Sequence, residues 1–103
     1  MKYIVDIDGT ICSKTFGKYE QATPIQKRIN FFNEAYEKGH EVVYWTARGS
    51  NSGKDWSELT KQQLLDWNVK YTQLLFNKPS YDIWIDDKAF NVERFFNDID
   101  NRI

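Results

Sequence analysis

Residues able to do chemistry stand at the ends of four apolar runs: Asp6 and Asp8 after Tyr3-Ile4-Val5, Thr46 after Val42-Val43-Tyr44-Trp45, Lys78 just past Leu74-Leu75-Phe76, and Asp86 with Asp87 after Ile83-Trp84-Ile85. If these runs are parallel strands of one sheet, their carboxyl ends share an edge, and ligands bind at that edge in open α/β sheets. Carboxylates crowded there repel one another unless a cation sits among them. Oxygen ligands without His or Cys select Mg²⁺, so the expected metal set is Asp6, Asp8, Asp86 and Asp87. A magnesium ion, a lysine ammonium and a threonine hydroxyl form a cradle for the equatorial oxygens of a phosphoryl group.

A carboxylate left over in that cradle can attack phosphorus. This splits phosphoester hydrolysis into two easier transfers through an aspartyl-phosphate. Asp6 is the candidate nucleophile. Asp8, two residues on, reaches the leaving oxygen, protonates the departing alkoxide and then deprotonates the attacking water. Gly9 lets the backbone turn close to the phosphate. Arg48, two residues beyond Thr46, is either a bidentate clamp for a substrate phosphate or an ordinary surface arginine.

Other chemistries are excluded by composition. The one cysteine, Cys12, cannot form an intramolecular disulfide or a cysteine-based metal site, and the one histidine, His40, removes His clusters and Ser-His-Asp triads. Cys12 is expected to pack as a small hydrophobe, its thiolate disfavoured by nearby carboxylates. A formal charge of −1 gives no general electrostatic reason for nucleic-acid or membrane binding. Tyr3-Ile4-Val5 meets Asp6 too soon for a secretory signal, and no later run nears membrane-spanning length, so the cytoplasm is the expected compartment.

The elements that must position these residues read as follows. Residues 1–103 are expected to form a single domain. Lys2 to Asp6 and Glu41 to Trp45 lack apolar/polar alternation, as buried parallel strands do. Thr23-Pro24-Ile25-Gln26 reads as a capping box that opens a helix running to Gly39. Asp55 to Glu58 opens a second helix, which Asn68 ends. Tyr71 to Phe76 and Ile83 to Asp86 are predicted as third and fourth strands, and Val92, Phe95, Phe96 and Ile99 mark a closing helix. This order argues for an α/β fold with an open parallel sheet and helices on both faces, a three-layer arrangement. The connection from Asn77 to Asp82 is shorter than a helical crossover between parallel strands needs. Fully extended, those residues reach roughly 20 Å. Loops Ile11 to Ala22 and Ala47 to Lys54 are expected to supply substrate contacts, with Trp56 a candidate for stacking.

Asp6-Ile-Asp8-Gly9-Thr10, Thr46, Lys78 and Asp86-Asp87 resemble the four motifs of the haloacid dehalogenase superfamily, in that order, over residues 6 to 87. Trp45-Thr-Ala-Arg48, Asn77-Lys-Pro79 and Ile85-Asp-Asp-Lys-Ala-Phe-Asn91 are similar to a group of very small capless phosphatases, some associated with capsular polysaccharide synthesis. The resemblance implies a Rossmann-like, capless phosphatase fold with Asp6 as nucleophile and metal ligand. Asp8 would be acid/base and lend its backbone carbonyl to the metal, and Asp86 would complete the Mg²⁺ shell with Asp87 in support. Thr46 would bind the phosphoryl group and Lys78 would stabilise the phosphoaspartate; Gly9, Ala47 and Arg48 are the further candidates for phosphate contact. An acid at Asp8 is the mark of the superfamily's phosphatases. The chain departs from the pattern in lacking a cap insert and the usual helix before the motif-three lysine.

The expected substrate is a small phosphorylated metabolite such as a sugar phosphate, with a nucleotide or nucleic-acid end as the alternative. A phosphorylation-sensing or non-catalytic binding module is the alternative of another class. A second copy of the chain is a candidate partner.

Overall fold

The computed structural model describes the backbone of residues 1–100 and the side chains of residues 1–97. Three short strands, β1 (Lys2–Val5), β2 (Glu41–Trp45) and β3 (Gln73–Leu75), form a parallel sheet in the order β1-β2-β3. Tyr3 pairs with Val42 and Val5 with Tyr44, while Trp45 pairs with Leu75. The connecting helices are α1 (Gln26–Glu37) and α2 (Ser57–Asp66), and α3 (Val92–Asp100) closes the described chain. The α/β class and the parallel sheet are those read from the sequence.

Side chains alternate across a strand, so each strand presents two faces. Val5, Val42 and Tyr44 point into a core shared with Ile29 and Phe32 of α1, Leu64 of α2 and Phe96 of α3. Tyr3 and Leu74 pack against the same core. All three helices therefore cover one face. The opposite face carries Ile4, Val43, Trp45 and Leu75, with Ile4 63% and Leu75 41% exposed. Among the described residues the fold has two layers, where helices on both faces were expected.

The fourth expected strand is the other difference. Ile83 to Asp86 has no strand pairing, and every residue from Tyr81 to Asn91 is exposed. The capping box at Thr23 also fails to form, because that backbone is already committed: Ser13 N–H donates to the Thr23 carbonyl at 2.9 Å and Ile25 N–H to Ile11 at 2.8 Å. The helix starts after Ile25, with no side-chain cap. Asn68 does end the second helical segment, in a left-handed conformation with φ of 57°, which Asn tolerates better than most residues.

Candidate active site at the carboxyl edge of the sheet

Asp6 follows directly on β1, and its neighbour across the edge is Lys78, with Nζ 3.7 Å from Oδ2. The chain brings Lys78 there by a turn at Asn77, which takes a left-handed φ of 64°. Two hydrogen bonds then pin the lysine's backbone. Its N–H donates to the Thr46 carbonyl at 3.1 Å, and its own carbonyl accepts from Ser50 Oγ at 2.8 Å. Burial raises the Asp6 carboxyl above its ordinary value, and the positive charge of Lys78 opposes that rise. The Ile7 amide also donates to Asp6 Oδ1 at 2.9 Å.

Asp8 is held by a different partner. Arg48 grips it bidentately, Nε to Oδ2 at 2.9 Å and Nη2 to Oδ1 at 2.9 Å. The remaining guanidinium nitrogen, Nη1, donates to Thr60 Oγ1 at 3.1 Å and to Gln63 Oε1 at 2.6 Å, both on α2. The Tyr19 ring lies under the guanidinium carbon at 4.7 Å. With its side chain 0% exposed, Arg48 faces inward, and its guanidinium edges are taken by Asp8, Thr60 and Gln63. The grip fixes the orientation of the Asp8 carboxylate. Sequence reasoning missed Thr60 and Gln63, whose signal was two polar residues three apart on the apolar stripe of α2.

Thr46 is buried, its hydroxyl accepting the Arg48 amide at 3.1 Å, and the hydroxyl hydrogen remains a donor. Gly9 has φ of 78° and donates its amide to Cys12 O at 2.9 Å. Ala47 lines an open cavity of about 380 Å³ together with Tyr19, Gly49, Lys54, Trp56 and Ser80. That cavity lies between the two loops expected to meet substrate. Trp56 packs edge-on against Tyr19 at 4.9 Å. Cys12 is fully buried, and burial followed by the Asp8 charge pushes its thiol up to about 12.

Asp86 and Asp87 lie in the exposed segment after Trp84. Asp86 Oδ1 accepts the Lys88 amide at 2.9 Å, and that bond holds its carboxyl below the ordinary range. The charges acting on Asp6 are those of Lys78 and Asp8. Among the described residues no group of three or more His, Cys, Asp or Glu side chains is placed to hold a metal. Asp6, Thr46 and Lys78 come together with Asp8 beside them, and Asp86 and Asp87 follow Trp84, whose ring lies 5.9 Å from Lys78 Nζ. The segment that carries Asp86 and Asp87 is not paired into the sheet.

No family model and no curated protein matches the chain. Among solved structures, the chain is similar to the crystal structure of a target protein from Vibrio cholerae, at 26% identity and a TM-score of 0.81, over 97% of this chain and 94% of that one. The likeness over nearly both whole chains supports the α/β architecture described above.

Proposed function

We propose that this chain is a phosphomonoesterase that works through an aspartyl-phosphate on Asp6, with a small phosphorylated metabolite as substrate. The observation that carries this reading is the pairing of Asp6 with Lys78 at 3.7 Å on the sheet edge, with the buried Thr46 tied to the Lys78 backbone. A carboxylate nucleophile, an ammonium to take phosphoryl charge and a hydroxyl donor are the parts an in-line transfer needs. Asp6 Oδ attacks phosphorus, and the ester oxygen leaves with a proton from Asp8. Water, deprotonated by Asp8, then attacks the phosphorus of the phosphoaspartate and releases inorganic phosphate and free Asp6. Asp8 gives the leaving oxygen its proton from one carboxyl oxygen while Arg48 keeps hold of the other, so that the grip orients the acid toward the leaving group. The cavity flanked by Tyr19, Lys54 and Trp56 receives the rest of the substrate.

The haloacid dehalogenase motifs and Mg²⁺ belong to this same proposal. One chain does not by itself present the carboxylate set that magnesium needs, so no step above runs through the metal. A second reading is favoured by one observation: with both Asp8 oxygens held by Arg48, a phosphoaspartate would persist, as in a phosphorylation sensor. Assay with p-nitrophenyl phosphate separates the two. Repeated turnover that disappears in Asp6→Asn supports the esterase, stoichiometric labelling of Asp6 supports the sensor, and no reaction with any phosphoester removes both.

A further inference from the structure

We propose that residues 83–86 of each chain lie along the free edge of β1 in a second copy, so that Asp86 of one chain completes the Asp6 and Asp8 site of the other. The active-site part of this inference rests on the function proposed above; the docking part does not. β1 is an edge strand, whose outward N–H and C=O groups are a template for another strand. Beside it Ile4 is 63% exposed. The same chain displays Ile83 at 79% and Ile85 at 92% exposure, an apolar surface of the kind that marks an interaction site. Alternation divides this run. Trp84 turns home, its ring 6.1 Å from that of Trp45, so Ile83 and Ile85 face the other way, as in a strand covered on one side.

The occupant is a second copy because the chain's own β1 edge is out of reach in the parallel sense. Lys78 is pinned to Thr46 at the carboxyl end of β2, and the five steps from Lys78 to Ile83 span roughly 17 Å when fully extended. A strand parallel to β1 must start at the amino end of the sheet. That start lies about 13 Å back along the strands and about 10 Å across them, a straight line of roughly 16 Å that cuts through the sheet. Any route around the face is longer than the tether. An antiparallel course is short enough, but it carries Asp86 away from Asp6. Short tethers that cannot close at home favour exchange between copies, a low-cost route to a dimer.

The test is the solution mass of the wild-type chain and of Ile85→Lys, with Ile4→Lys as a second variant on the opposite surface. Both side chains are exposed in the single chain, so both variants should fold. Wild type should weigh twice 12.3 kDa and each variant should fall to the single-chain mass with an unchanged circular dichroism spectrum. Asp6→Asn and Asp86→Ala, each inactive alone, should recover activity when co-refolded, because one site of each mixed dimer is then wild type. About a quarter of wild-type turnover is expected from random pairing. A monomeric wild type, or a dimer indifferent to both lysine substitutions, overturns the proposal. Absence of recovery in the mixture, with wild type active, overturns the shared site. A lysine-sensitive dimer that hydrolyses no phosphoester supports the docking and rejects the esterase.

Discussion

Burial lifts the Asp6 carboxyl above its ordinary 3.8 by more than Lys78 draws it down, so folding favours the protonated acid. Between 3.8 and the raised value the folded chain holds a proton that the unfolded chain has lost. Stability from this group therefore declines as pH climbs through that window and is level above it. Thermal melts should show Asp6→Asn at least as stable as wild type at neutral pH, with its advantage vanishing below pH 3.8; a variant less stable at every pH would contradict this. The same substitution should abolish turnover, since an amide keeps the shape but is no nucleophile. Arg48 gives a sharper outcome. Arg48→Ala leaves Asp8, Thr60 and Gln63 without their shared partner, and breaking a buried pair costs about 3–5 kcal/mol. At roughly 4–8 °C per kcal/mol for a domain of this size, Tm should fall by well over ten degrees. Arg48→Lys should recover little, since an ammonium cannot span both carboxylate oxygens. In protein that stays folded, kcat should drop more than KM changes, and more for alkyl phosphates than for p-nitrophenyl phosphate, because Asp8 matters most where the leaving group needs a proton. A rise in KM alone would make Arg48 a substrate contact.

At the level of elements, the loop after β2 is set by Gly49. Its φ is 83°, and a Cβ there would come 2.2 Å from the Lys54 carbonyl oxygen, a separation no neighbour can relax cheaply. Gly49→Ala should open this loop, displacing Ala47 and Trp56 from the cavity wall, and lower both Tm and substrate affinity; titration calorimetry with a phosphate-bearing ligand reads the latter directly. β1 and β2 were legible because Tyr3-Ile4-Val5 and Val42-Val43-Tyr44 are apolar on both faces. The helices after Ile25 and Trp56 were legible from apolar spacing; the first has no side-chain cap, while Asp55 accepts the Ser57 amide at the start of the second. Ile83-Trp84-Ile85 carries the same apolar signal as β1 and is no strand in the single chain, because local pattern reports what a segment can pair with and says nothing of the tether that must bring it there. The Asp6 and Lys78 pairing was legible from their places at strand ends. The turning inward of Arg48 was not, since it depends on Thr60 and Gln63, distant in sequence.

The described chain has helices on one sheet face and, on the other, exposed Ile4 and Leu75 beside a buried Val43, so its stability should depend on chain concentration. Differential scanning calorimetry should find Tm rising with protein concentration for wild type and constant for Ile85→Lys. Millimolar Mg²⁺ should raise wild-type Tm further: a ligand at a hundredfold excess over its Kd adds about 2.7 kcal/mol, or roughly ten degrees or more here. Asp86→Ala and Ile85→Lys should both lose that gain. A magnesium shift retained in monomeric Ile85→Lys would place the whole metal site in one chain. Cys12 supplies a clock for such events. It is the one thiol in the chain, fully buried, with Sγ 3.5 Å from Asp8 Oδ1 and its ionisation pushed up to about 12. A thiol reagent can react with it only through molecules in which the loop after β1 has swung away from the core, so the labelling rate counts those excursions. Set beside amide exchange from β2, that count separates breathing of the loop from dissolution of the entire fold, without adding any foreign probe to the protein.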